Sequence, residues 1–184
     1  SKKETEGHLA WKHRFPDEWQ EVVGRDEEGE LHIADVKTIH GWILEFQHSG
    51  IGLLERESRE SFYGDRLIWV VDSSRREKER CRLLEEPWGG PLLSPDFPER
   101  RVQSEGLLRL WMPSRAEVFF DFGSEYELLW LSSESGPSWS YVKPVQRDKF
   151  LRVHCSTSDA DADLFDRIRL AFSQRIARAE GRLP

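Results

Sequence analysis

Asp35, Glu45 and Gln47 lie on two short, largely apolar stretches, His32-Ile33-Ala34-Asp35-Val36 and Ile43-Leu44-Glu45-Phe46-Gln47-His48-Ser49. If both stretches are strands, Glu45 and Gln47 leave one face of the second while Leu44 and Phe46 leave the other, toward a core. An acid on one strand then faces an acid and an amide on the next. That set can hold a hard divalent cation against a phosphate: Mg²⁺ uses one or two protein carboxylates and fills its shell with water and phosphate oxygens. The cation lowers the pKa of a bound water and screens phosphate charge. An amide cannot act as a base near neutral pH, but it donates and accepts at once, so Gln47 can orient a water or a phosphate oxygen. Upstream, Glu4, His8 and Lys12 are spaced by four and climb one face of a short helix.

The elements that must position these groups follow from pattern. Glu4 to about Arg14 reads as a helix that Pro16 interrupts. Trp19–Val23 reads as a strand, with a short helix over Glu18–Glu21 as the alternative, and a charged turn follows to Glu30. After the two acid-bearing strands, Ile51–Tyr63 reads as a helix with Ile51, Leu54, Ser58 and Phe62 inward and Glu55, Arg56, Arg59 and Glu60 outward. Leu67-Ile68-Trp69-Val70-Val71 is a strand covered on both faces. The order helix, three strands, helix, strand implies an α/β fold with a mixed sheet.

Beyond Asp72, Ser73–Arg82 reads as the start of a helix. Four prolines make Glu86–Gln103 an irregular connection. Leu107–Met112, Glu117–Asp121, Tyr126–Leu131 and Trp139–Val145 read as the strands of a meander, and Asp159–Arg178 as an amphipathic helix. This divides the chain into a core over 1–72, a charged and Pro-rich connection over 73–105, and a β-rich extension ending in a helix over 106–184.

The chain has 184 residues and a net charge of −7, which argues against indiscriminate coating of nucleic acid but not against a local basic groove. No stretch is long and apolar enough to span a membrane, and no signal-peptide pattern opens the chain. Cys81 and Cys155 form neither a metal motif nor a disulfide framework, which points to a reducing cytoplasm. Ser1 in place of Met is consistent with a stretch of a longer protein.

Five ordered signals over about the first seventy residues resemble the nuclease domain of the competence protein CoiA-like family. Glu4-Thr5-Glu6-Gly7-His8 with Lys12 resembles its E-S-x-x-H-x-x-x-K opening, and Ala34-Asp35-Val36 its R-x-D-V strand, with Ile33 where the family has Arg. Glu45-Phe46-Gln47-His48-Ser49 with Ile51 resembles E-x-Q-x-S-x-I, Arg59 and Tyr63 an R-x-x-x-Y, and Ile68-Trp69-Val70 the following strand. The resemblance implies a restriction-endonuclease-like, PD-(D/E)xK mixed sheet flanked by helices. It implies Mg²⁺- or Mn²⁺-dependent cleavage of DNA, in processing such as competence, or else a non-catalytic nuclease-fold module that binds DNA or protein. Asp35 and Glu45 would hold the metal. Gln47, Glu4, His8 and Lys12 would join in catalysis, with Glu4 on a second metal or metal-bound water. Lys12, Lys37 and Arg59 would contact substrate. Ser49 and Tyr63 are expected to be structural, and His13, His32, His40 and His48 to lie on the surface.

Overall fold

The computed structural model describes residues 6–25, 29–48, 50–85 and 92–183. An eight-stranded mixed sheet runs through it. Its strands are β1 (Gln20–Arg25), β2 (Leu31–Lys37), β3 (Ile43–Gln47), β4 (Leu67–Asp72), β5 (Arg100–Gln103), β6 (Glu117–Asp121), β7 (Leu128–Leu131) and β8 (Trp139–Val145). The helices are α1 (Glu6–Lys12), α2 (Leu53–Tyr63), a single turn α3 (Glu77–Arg80), α4 (Gly106–Trp111), α5 (Arg147–Cys155) and α6 (Leu164–Ala179). The strand order is β1-β2-β3-β4-β6-β7-β8-β5. β3, β4 and β6 run parallel at its centre, and the flanking pairs are antiparallel. The α/β expectation with a mixed sheet therefore holds, with helix, three strands, helix and strand in that order over the first seventy residues.

Alternation along the strands builds two cores. Val36, Leu44, Phe46, Ile68, Val70, Phe119 and Trp130 leave one face, where Trp11 of α1, Phe150 of α5 and Phe165, Phe172 and Ile176 of α6 cover them. Ile43, Leu67, Trp69, Val71, Val118 and Phe120 leave the other, against Leu107, Leu108 and Trp111 of α4 and Leu83. Period-two burial on a sheet covered on both sides gives a helix–sheet–helix sandwich.

Three expectations are corrected. Leu107–Met112 belongs largely to helix α4, not to a strand: Leu107, Leu108 and Trp111 are buried while Arg109 and Leu110 are exposed, a helical spacing. A strand, β5, ends the Pro-rich connection, and α5 follows the meander directly. On α2 the stripe is inverted. Leu54 is 82% exposed, whereas Arg56 and Glu60 are each 5% exposed. Arg56, Arg59, Glu60 and Tyr63 form one helical stripe that meets polar partners on the sheet. The Glu60 carboxylate accepts from Trp69 Nε1 at 3.2 Å, the Ser114 hydroxyl at 2.6 Å and the Arg115 amide at 3.1 Å. Arg56 donates to the Leu110 carbonyl at 3.0 Å and lies over the Trp111 ring. Buried polar groups so paired substitute for an apolar stripe. Glu60→Gln replaces an acceptor facing three donors with a group that is half donor. It should cost about 1–2 kcal/mol, read as a lower Tm and an unchanged denaturant m-value.

Candidate active site

The turn that joins β2 to β3 sets the register. Thr38 N donates to the Trp42 carbonyl at 2.8 Å and Trp42 N to Thr38 Oγ1 at 3.0 Å, closing the turn. Val36 then pairs with Leu44 and Lys37 with Ile43. Continuing that register sets Asp35 opposite Glu45, but the ladder stops there. Asp35 Oδ2 instead accepts from the Phe46 amide at 2.7 Å, so a side chain takes the place of a strand–strand bond. On the other side of β2 the ladder also skips the Asp35 position. The residue opposite, Glu21, holds φ at +51°, an uncommon conformation for a residue with a side chain. The backbone is thus distorted on both sides of Asp35, the kind of local strain that clusters at functional sites.

Three of the expected residues converge on the acid pair. His8 Nε2 lies 3.1 Å from Asp35 Oδ1. Arg59 Nη1 donates to Glu45 Oε2 at 2.6 Å and lies 3.6 Å from Glu55. Tyr63, four residues along α2 from Arg59, sets its hydroxyl beside the same carboxyl. Glu45 is 4% exposed, and burial, reinforced by the charge of Asp35 and opposed by Arg59, pushes its pKa up to about 8. Burial and the neighbouring Glu45 likewise raise the Tyr63 phenol. Glu45 Oε1 and the Tyr63 hydroxyl make no well-formed hydrogen bond among the described residues. A buried carboxyl held between a phenol and a second carboxylate is an acceptor set for a proton or a cation.

The other expected residues separate. Lys12 is buried and pairs with Glu21 at 2.6 Å, bracing the distorted strand rather than facing solvent. Lys37 is exposed at the end of β2. Gln47 is half-buried at the end of β3, one pleat beyond Glu45. Glu4 and Ser49 lie outside the described residues. Among those residues no cluster of three or more His, Cys, Asp or Glu offers a ready metal cage, so a cation here would draw on the two acids, water and phosphate.

A cleft of about 570 Å³ opens on the α1 side of the sheet, its wall carrying His8, Gln47, His48, Asp72 and Asp121; Asp35 and Glu45 do not line it, and His8 alone links it to the pair, through Asp35. It sits at the carboxyl ends of the three parallel strands, where open α/β sheets bind ligands. Register explains its floor. Gln47 pairs with Val71 and Asp72 with Asp121, so His48, Asp72 and Asp121 form a row across β3, β4 and β6. His48 Nδ1 donates to Asp72 Oδ2 at 2.6 Å, and the Ser74 amide and hydroxyl donate to Oδ1 at 3.0 and 2.7 Å. Burial pushes the Asp72 carboxyl up, but the bonds from Ser74 and His48 outweigh it and hold it below its ordinary value. Asp121 takes two bonds from Arg147 and one from the Trp11 indole at 2.8 Å. His48 is thus a cleft residue held by an acid, not the simple surface residue expected. Its signal lay in its place just past the end of β3, legible only once β3 and β4 are known to run parallel.

No family model matches the chain, and no curated protein or solved structure matches it. Among the described residues no helix is long and apolar enough to cross a membrane.

Proposed function

We propose that the chain is a metal-dependent deoxyribonuclease that hydrolyses DNA phosphodiester bonds on a restriction-endonuclease-like, PD-(D/E)xK core. The observation that carries this is the Asp35–Glu45 pair: two acids close enough across β2 and β3 for the charge of one to raise the pKa of the other, and the second of them buried. The helix, three strands, helix and strand around it supply the matching frame. The residues fit Mg²⁺ or Mn²⁺, which asks for one or two carboxylates and accepts waters and phosphate oxygens for the rest. Bound there, the ion would supply a more acidic water and charge screening at the scissile phosphate.

The chain's own groups have separable tasks. Asp35, fixed by the Phe46 amide, holds one acid rigid in the sheet. Arg59 donates to Glu45 Oε2 at 2.6 Å and fixes that oxygen, opposing the rise in the Glu45 pKa. His8 can donate to Asp35 or to a phosphate oxygen, and Gln47 can orient the attacking water without taking its proton. Lys12 supports the β1–β2 distortion, so its contribution is to position Asp35. Lys37, exposed at the strand end, is left for the outer phosphates of a bound DNA.

One observation favours a second reading, a nuclease-fold module that binds DNA or protein without cutting. Arg59 already satisfies one oxygen of Glu45 at 2.6 Å, and a fixed internal cation can stand in place of a metal. A Mn²⁺ titration by calorimetry, run beside a cleavage assay, separates the two. The parent should bind Mn²⁺ and cut DNA, and Asp35→Asn, which keeps shape and removes charge, should lose at least about 10²-fold in rate. A parent that binds DNA but neither binds Mn²⁺ nor cuts would establish the second reading.

A further inference from the structure

A second hollow, of about 410 Å³, adjoins the first on the opposite face of the sheet, between the end of β4 and α4. The two share His48, Asp72 and Arg75. Together they make one groove that crosses the carboxyl end of the sheet, from beside α1 on one face to beside α4 on the other. His48, held upright by Asp72 at 2.6 Å, stands at the crossing.

The charge along this groove is uneven in an informative way. Its acids are largely spoken for: Asp121 is matched by Arg147 and Asp72 by His48 and Ser74, and among the described residues Glu6 on the rim has no cation beside it. Its arginines are not. Arg14 in the first hollow, Arg75 on the wall that both share and Arg76 next to it in the second are exposed, and their guanidinium groups meet no carboxylate among the described residues. Other arginines near the sheet are committed, as Arg59 is to Glu45, Arg147 to Asp121 and Arg175 to Glu99. Three uncommitted guanidinium groups strung along one groove suit an extended polyanion, because each can fork onto a phosphate. The second hollow adds Ile51 and the exposed Leu110, an apolar wall against which unpaired bases can lie.

We propose that this groove carries a single polynucleotide strand across the end of the sheet, with Arg14, Arg75 and Arg76 on successive phosphates and His48 beneath the crossing. Hollows of a few hundred Å³ admit a strand whose bases and phosphates enter one at a time, and a duplex would rest only on the rim. The inference deepens the nuclease reading by naming a single strand as the form held next to the site: the acid pair lines neither hollow, and His8, which lines the first and lies 3.1 Å from Asp35, joins the two. It rests on that reading for the chemistry, but not for the binding.

The test uses the full chain in EDTA, so that nothing is cut, with a fluorescent twelve-nucleotide oligo(dT) followed by anisotropy over a range of salt. Arg14→Gln/Arg75→Gln/Arg76→Gln should weaken binding by tenfold or more, and should flatten the slope of log K against log salt by about 2, three phosphate contacts at roughly 0.7 each on a single strand. Arg167→Gln, on α6, serves as the control and should bind as the parent does. Unlabelled single strand should compete, and a duplex of equal length should compete poorly. The inference is overturned by a triple variant that binds as the parent does, by a duplex that competes equally, or by a parent that does not bind the oligonucleotide. Glu45→Gln keeps the two questions apart. It should bind the strand normally while failing to cut. If it cuts at the parental rate, the catalytic reading falls and the groove stands. If the parent cuts but the triple variant binds unchanged, the groove falls and the catalytic reading stands.

Discussion

Glu45→Gln should abolish cleavage and, at pH 8, make the protein more stable. The two effects have one origin. Glu45 is buried beside Asp35, and its pKa rises from the ordinary 4.5 to about 8 because burial, then the charge of Asp35, disfavours the carboxylate. Between these values the folded chain holds a proton that the unfolded chain has released. Stability therefore falls as pH rises from about 4.5 to about 8. Glutamine has the shape of the protonated acid and never ionises, so it removes this loss. Arg59 limits the gain, since its bond to Glu45 Oε2 becomes one to a neutral oxygen. A rise in Tm of at least about 3 °C at pH 8, shrinking to nothing near pH 4.5, is the expected calorimetric result, taking roughly 2–4 °C per kcal/mol at this chain length. The same substitution takes a charge from the proposed cation site, so cleavage should drop by about 10³-fold or more, on the scale of losing a principal electrostatic contact. A site kept strained for function is often stabilised when function is removed. A variant that is less stable at every pH would show that Glu45 is there for structure, with Arg59 as its partner. A variant that cuts at the parental rate would remove the acid pair from catalysis.

How legible this was in the sequence depends on the range over which each feature is determined. Apolar alternation and the turn at Thr38–Trp42 are local, so the strand pair and the facing of Asp35 and Glu45 could be read directly. The approach of His8 to Asp35 could be anticipated only through the family resemblance: helical spacing puts Glu4, His8 and Lys12 on one face but does not say what that face meets, and Lys12 turns to Glu21 instead. The inversion of α2 could not. Its inward stripe of Arg56, Arg59, Glu60 and Tyr63 looks like a solvated face until the donors from Trp69, Ser114 and Arg115, the last two more than fifty residues downstream, are in place. The same holds for α4. Leu107, Leu108, Leu110 and Trp111 are apolar enough for a strand, and only packing against the second core selects the helix. His48 and Asp72 are twenty-four residues apart, and their pairing follows from the parallel register of β3 and β4, which no local pattern reveals. The charge of Lys12 suggests a phosphate contact, yet its ammonium is buried on Glu21, where it answers a strained backbone that sequence alone does not show.

The acid limb of stability should rest largely on His154, a residue no functional reading involves. It is buried on α5 among Phe150, Phe165 and Trp42, with ring centroids at 4.5, 4.7 and 6.4 Å, and its Nδ1 has no hydrogen-bond partner among the described residues. Burial alone pushes its pKa down from 6.5 to about 3. The fold therefore holds the neutral ring, and between about pH 6.5 and pH 3 the unfolded chain binds a proton that the folded chain refuses. Stability rises with pH across this window and is lost as pH falls through it. Two and a half pH units at about 1.4 kcal/mol each put the loss near 3 kcal/mol between pH 6.5 and pH 4. His154→Leu keeps an apolar body of similar size and cannot take up a proton. Denaturant titrations at pH 7 and pH 4 should show the parent losing about 3 kcal/mol more than the variant over that interval. Glu45, which works in the opposite direction from about pH 4.5 upward, is common to both and cancels in the comparison. Where the two windows overlap, between about pH 4.5 and 6.5, their slopes oppose. The parent should accordingly show a plateau of stability there, a decline toward pH 8 from Glu45, and a steeper decline below pH 4.5, where Asp72 and Glu99, both held below their ordinary values, also begin to take up protons. Equal pH dependence of parent and His154→Leu would mean that the ring is protonated inside the fold, and the acid limb would then belong to the carboxylates alone.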